Sequence, residues 1–252
     1  MRMNRKISKM NKSQISWLEF SDLKKIPFIF CGLLVKSHQG ETLALRPSWK
    51  NEFERFLAEY IGGIKQILIP KQVHQNEVVS IRKSEKLDFK KRLQADGLLT
   101  NRGDLFLTIQ VADCIPIYMV DTKRKVVGLV HAGWRGSLLQ IAREGVEEMK
   151  RSFNCSPKDL RVLLGPAIGK CCYAVGADVV ILFPSRFVNY EPKSKPKLDL
   201  MGFVKSQLIE SGVRRKNIFT AGECTYCGPR FLCSYRRSKN KKERMLAFIG
   251  IK

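Results

Sequence analysis

No stretch of the 252 residues approaches the roughly 20 consecutive apolar residues that a membrane-crossing helix needs, so no helical membrane span is expected. A secretion signal is not evident either. The first apolar run, Ile26 to Val35, begins late, contains Pro27 and is followed by Lys36-Ser37-His38 where a small-residue cleavage site belongs. Eight cysteines in so long a chain fall far below the density of a disulfide scaffold. The thiols are therefore expected to be reduced and the protein cytoplasmic. Internal repeats and low-complexity tracts are absent, which excludes a solenoid.

Carboxylates are scarce as well: 23 Asp and Glu face 46 Lys and Arg, for a net charge of +23. The cations do not form one stripe. They recur at Lys24-Lys25, Lys90-Lys91-Arg92, Lys123-Arg124-Lys125, Arg214-Arg215-Lys216 and Lys239 to Lys242, without the interleaved aromatics of a single-strand binding groove. This pattern predicts a basic, solvated surface that attracts nucleic acid non-specifically and phosphorylated metabolites in general.

What the sequence does hold is an apolar content of 44%, enough for one large core. The expected organisation is a loose basic segment at 1–12 followed by a single domain over 13–252. Strand-length apolar runs lie at Ile26–Val35, Ile64–Pro70, Leu105–Val111, Ile115–Val120, Val126–Val130, Leu160–Leu164 and Met245–Ile251. Several are continuous rather than alternating, as for strands covered on both faces. Helical periodicity runs from Ser137 to Arg151, with Ser137 placed as N-cap, from Asp199 to Ser211, and more weakly from Asn51 to Ile61. The runs on either side of Asp121–Lys125 read as an antiparallel hairpin. Mixed sheets with helices outside are the expected architecture, an α/β mixed (α+β) class.

Histidine is the scarcest chemical resource, with three in the chain, and two occupy unusual settings. His74 follows a strand run, and His131 sits where a strand enters the glycine-flanked turn Gly133-Trp134-Arg135-Gly136. Cys114 lies between them, in the break between two apolar strands. Two imidazoles and a thiolate suit a zinc ion with a fourth position left open for catalysis. The same residues support a second reading, a metal-free cysteine hydrolase or deamidase in which Cys114 and His131 form a thiolate–imidazolium pair. His74, which such a dyad does not require, discriminates the two. Asp96 and Asp113, carboxylates in apolar surroundings, are candidate proton carriers or orienting groups, and the turn-capping alternative stands beside them. Arg135 is placed to hold an oxyanion at a helix start, or else is an exposed turn residue. Cys224-Thr225-Tyr226-Cys227 has the spacing of zinc ribbons and redox pairs but lacks a second such pair in sequence. Cys233 and Cys171-Cys172 join it only if the fold brings them near, and buried, inert thiols are the expectation.

The motifs Gln72-Val73-His74, Ala95-Asp96-Gly97, Ala112-Asp113-Cys114-Ile115-Pro116, His131-Ala132-Gly133-Trp134-Arg135-Gly136, Gly165-Pro166-Ala167-Ile168-Gly169 and Ser234-Tyr235-Arg236-Arg237 occur in that order. Together they resemble the YfiH-like family, also called laccase-domain or polyphenol oxidase proteins and described as purine nucleoside phosphorylases. The resemblance implies a layered α/β/β/α fold with mixed sheets. It also implies one metal ion on His74, Cys114 and His131, zinc in preference to copper. The activities implied are phosphorolysis of adenosine, inosine or guanosine and methylthioadenosine, together with adenosine deamination. Arg135, Arg236 and Arg237 are then expected to hold phosphate, and Asp113 or Asp96 to carry protons. Copper-dependent oxidation of phenols is the older assignment of the family, and a cluster of several coppers would need more imidazoles than three histidines supply. Three departures stand out: the region before residue 64 lacks the Asn-rich motifs of the family's N-terminal part, Ala174 replaces an acidic residue after Cys171-Cys172-Tyr173, and Ser238-Lys239-Asn240-Lys241-Lys242-Glu243 replaces a shorter, glycine-containing turn.

Overall fold

Continuous apolar runs become strands with no wet face. In the computed structural model, which describes residues 4–7, 15–36, 42, 47–62, 66–85 and 93–252, every side chain of β8 (Ile115–Asp121) and β9 (Val126–Ala132) is buried. These two strands pair antiparallel through the expected hairpin, closed where Asp121 Oδ1 accepts from the amides of Lys123 and Arg124. The earlier strands are β1 (Asn4–Ile7), β2 (Ser16–Glu19), β3 (Ile29–Leu34), β4 (Gln66–Leu68), β5 (Val78–Ile81), β6 (Gly97–Thr100) and β7 (Leu105–Val111). After the hairpin come β10 (Leu160–Leu164), the short ribbon β11 (Val188–Asn189) and β12 (Lys197–Leu198), then β13 (Ile218–Thr220) and β14 (Met245–Ile251).

Two six-stranded sheets result, ordered β1-β2-β3-β14-β7-β4 and β13-β10-β8-β9-β6-β5. Pairing is antiparallel in their centres and parallel at three edges, β4 on β7, β5 on β6 and β13 on β10. The sheets face each other across a core that includes Leu33, Leu107 and Ile249 from the first and Leu98, Val120 and Leu163 from the second. Tyr118 crosses it, donating to Gly32 O at 2.7 Å. Each such apolar side chain contributes about 1.5–3 kcal/mol on burial.

Helices α1 (Ser21–Lys24) and α2 (Trp49–Ile61) belong to the first half of the chain. α2 places Phe53, Phe56 and Leu57 against Trp17, Phe30 and Phe248 on the outer face of the first sheet. The outer face of the second is covered by α4 (Ile141–Phe153) and α6 (Leu200–Glu210), with α3 (Trp134–Leu138) and α5 (Ala177–Val180) as short turns of helix beside them; the short α7 (Tyr235–Ser238) precedes β14. The layers are helix, sheet, sheet, helix. α6 starts as expected, with Asp199 Oδ1 accepting from the Gly202 amide at 2.9 Å.

The helix expected from Ser137 is instead two. Helical bonding begins at Gly133, whose carbonyl already accepts from the Ser137 amide, so Ser137 lies inside α3 and is not an N-cap. The chain then breaks at Gln140, which adopts φ 65°, and α4 restarts at Ile141. Side chains reinforce the break: Ser137 O, which already accepts from the Gln140 amide at 3.0 Å, also takes Gln207 Nε2, and Leu139 O takes Asn76 Nδ2. Of the expected N-terminal segment, Asn4–Ile7 pairs with β2. Its other residues, the Lys90-Lys91-Arg92 cluster and His38 lie outside the described residues.

Candidate metal centre

Strand direction gathers the chemistry at one end of the two sheets. The carboxyl ends of β4, β7 and β9 meet there: β4 and β7 lead into the segments carrying His74 and Cys114, and β9 itself carries His131 as its last residue but one. The ligand atoms of these three side chains lie within 4.8 Å of one another. The two imidazoles stand edge to face, centroids 4.9 Å apart.

The cluster is held by backbone that ordinary residues avoid. His74 has φ 59° and Asp113 has φ 83°, in the left-handed region that costs of order 1–3 kcal/mol for a side-chain-bearing residue. Asp113 is fastened on both sides: Oδ1 accepts from Thr225 Oγ1 at 2.6 Å and Oδ2 from the Arg236 amide at 2.7 Å. The His74 loop is fixed twice. Gln72 pairs with the main chain of Gln110 through both ends of its amide, at 2.7 and 2.9 Å. Fully buried Asp96 accepts from the amides of Val73 and Gln75 on Oδ2, at 3.0 and 2.9 Å. Its Oδ1 takes His131 Nδ1 at 2.8 Å, which leaves Nε2 for the cluster.

Two glycines make room. A Cβ on Gly133 would stand 3.1 Å from Cys114 Sγ and 3.7 Å from His74 Cδ2. One on Gly136 would stand 2.7 Å from Gln75 O, so only glycine lets the His74 loop lie against α3. The donor set, its convergence and this cradle fit a metal ion held by two nitrogens and one sulfur.

Electrostatics point the same way. Burial pushes the Cys114 thiol up, but the His131 charge and hydrogen bonds from His131 and His74 outweigh it and bring it down to about 6. Burial opposes charge on His131 too, yet the Cys114 sulfur and Asp96 raise it to about 9. Without a metal, Cys114 and His131 therefore form a thiolate–imidazolium pair.

A cavity of about 430 Å³ opens onto the cluster, within the usual range for small-molecule sites. Lys71, Gln72, Tyr235, Lys241 and Arg244 line it beside the three ligands. Lys71, Tyr235, Lys241 and Arg244 carried no assigned role in the sequence reading; a strand entering basic residues next to a family motif was the signal available. The other arginines are placed differently. Arg135 is exposed and stacks on Trp134 at 4.2 Å. Arg236 donates to Ala174 O at 2.6 Å, and Arg237 donates to the carbonyls of Thr225, Tyr226 and Leu232.

The remaining thiols divide. Cys31, Cys155 and Cys233 are buried, as expected of inert cysteine. Cys171, Cys172, Cys224 and Cys227 are not: they come together at the surface as a second cluster.

Known proteins resemble this chain throughout the region of the centre. A family model described as multi-copper polyphenol oxidoreductase laccase matches residues 50–252. A protein of Bacillus subtilis strain 168 named purine nucleoside phosphorylase YlmD is 33% identical over 192 residues, covering 72% of this chain and 69% of that protein. Its namesake in Geobacillus stearothermophilus is 35% identical over 209 residues, covering 78% and 76%. The crystal structure of YlmD from Geobacillus stearothermophilus superposes with a TM-score of 0.81 at 29% identity, covering 99% of this chain and all of that one.

Proposed function

This chain belongs to the family described as multi-copper polyphenol oxidoreductase laccase, and on that footing we propose that it is a zinc-dependent purine nucleoside phosphorylase. The observation that carries the reading is the convergence of His74, Cys114 and His131 at the floor of a cavity whose rim is basic. The relatives' printed names supply the substrate class.

Zinc held there would supply Lewis acidity, lowering the pKa of a water in the cavity towards neutrality. The chain's own residues do the rest. In phosphorolysis an oxygen of hydrogen phosphate attacks the anomeric carbon of the ribose while the bond to the purine nitrogen breaks, and the departing base takes up the proton that the phosphate gives up. Lys71, Lys241 and Arg244 hold the phosphate by charge, and Tyr235 offers a ring for the base to lie on. Asp96 keeps a proton on His131 Nδ1 and so fixes which nitrogen faces the metal. Asp96 and Asp113 are assigned to positioning, because every carboxylate oxygen of either one already accepts a hydrogen bond. Arg236 and Arg237 frame the site through main-chain carbonyls, while Arg135, stacked on Trp134, is left as an exposed cation available to phosphate. Adenosine, inosine, guanosine and methylthioadenosine are the substrates assigned, with adenosine deamination as a second activity of the same cavity. Copper oxidase chemistry is less well served, since three histidines cannot furnish several copper centres. A reducing cytoplasm suits the eight free thiols.

The thiolate–imidazolium pair favours one rival, covalent attack by Cys114 without metal. Phosphate-dependent release of base from inosine and adenosine, measured with the native chain and His74→Ala, separates them. Loss of base release and of metal from the centre in the variant supports the zinc enzyme; phosphate-independent turnover that survives in the variant overturns it.

A further inference from the structure

Two loops outside the cavity bring four sulfurs together. β10 and β13 are parallel neighbours, and the segments that leave their carboxyl ends stay joined: Thr225 N donates to Ala167 O at 3.0 Å. The first segment carries Cys171 and Cys172, the second Cys224 and Cys227, and their four Sγ atoms lie within 4.8 Å of one another. Cys171 and Cys227 are 3.7 Å apart. Tetrahedral zinc with sulfur ligands at about 2.3 Å separates those sulfurs by about 3.8 Å.

The turn is built as a ligand turn. Gly169 donates its amide to Cys224 Sγ at 3.2 Å, a contact that satisfies a sulfur carrying charge. Gly228 follows the second cysteine and donates to Cys224 O at 2.8 Å, closing the turn; a Cβ there would strike that oxygen at 2.2 Å. A Cβ on Gly169 would press on Cys171 Sγ at 3.2 Å. These residues pack the two loops as closely as a shared ion requires, and no disulfide joins the four cysteines.

We infer that Cys171, Cys172, Cys224 and Cys227 form a second, structural zinc site, a tetrathiolate clamp distinct from the His74–Cys114–His131 centre. With four protein ligands it has no open position, so its work is mechanical. Thr225, between the two ligands of the second loop, holds Asp113, and Arg237 holds the carbonyls of Thr225 and Tyr226. The clamp thus fixes the loop that fixes the residue before Cys114.

The full-length chain, purified under reducing conditions with zinc in the growth medium, tests this by metal content. About two zinc ions per chain are expected, with about one remaining in Cys114→Ala and about one in Cys171→Ser/Cys227→Ser. Cobalt substituted into Cys114→Ala should show the intense sulfur-to-metal charge transfer of four thiolates. A Cys114→Ala chain that folds but holds no zinc, or one whose four cysteines are recovered as disulfides, overturns the clamp. Because Cys114→Ala leaves all four ligands untouched, the result stands even if the double variant does not fold.

Discussion

Asp96 and His131 are joined twice, through the carboxylate Oδ1 and imidazole Nδ1 at 2.8 Å and through the His131 amide and Asp96 carbonyl at 2.7 Å. The other carboxylate oxygen holds the His74 loop. One buried side chain therefore sets the orientation of one ligand and the position of another.

Asp96→Asn should weaken zinc binding at the His74–Cys114–His131 centre by about 10–100-fold, the usual effect of losing an orienting partner. An amide can accept from His131 or from the Val73 and Gln75 amides, but its nitrogen then faces donors on the other side. Competition against a chromogenic chelator gives the affinity, and an unchanged value would remove Asp96 from this role.

In metal-free protein, Cys114 should alkylate as a thiolate with its midpoint near pH 6, since the His131 charge and the bonds from His131 and His74 overcome its burial. Reactivity rises as pH increases through that value. His131→Asn removes the cation, leaves desolvation in command and should move the midpoint upward by more than one pH unit. Rates of iodoacetamide labelling at Cys114, followed by peptide mass, would expose a midpoint that does not move.

His131 is raised to about 9, so it must lose a proton before Nε2 can bind a metal. Apparent zinc affinity should accordingly climb by about tenfold per pH unit between neutrality and about 9, with proton release seen on binding in weakly buffered solution. A flat affinity profile would mean that no proton is displaced from His131 over this range.

Gly133→Ala is allowed by its backbone, φ −83°, yet places a methyl 3.1 Å from Cys114 Sγ. Most of the damage should fall on metal content, with the unfolding free energy of the metal-free chain changed by no more than about 1 kcal/mol. A variant that binds zinc normally would show the cradle to be roomier than its geometry.

The Ser137 hydroxyl is buried and has no hydrogen-bond partner among the described residues. Ser137→Ala removes a polar group that folding has desolvated for nothing, and should leave stability unchanged or raise it by about 1 kcal/mol. A clear fall in melting temperature would reveal a partner.

The central strands were legible because they are apolar with at most one or two polar residues; the runs assigned to β7, β8, β9, β10 and β14 needed no knowledge of the fold. Short edges such as β5 and β13 were not, being three or four residues whose apolar faces depend on their neighbours. Nor was the break at Gln140, since neither glycine nor proline marks it and Leu138, Ile141 and Ala142 keep the helical rhythm across it. At the centre, His74, Cys114 and His131 were visible by their chemistry. The Gln72 clamp on Gln110 was not, because it joins residues 38 apart through strand register. The four-thiol cluster was hidden for the same reason: its halves meet only because β10 and β13 run parallel.

The segment from β4 to β5 passes from one sheet to the other and carries His74 on the way. His74 is therefore expected to reach Cys114 and His131 only after both edge strands have found their partners, late in folding. Metal bound there adds energy to the finished structure and little to the state that precedes it. It should therefore lengthen the lifetime of the folded chain while leaving the rate at which it forms nearly unchanged.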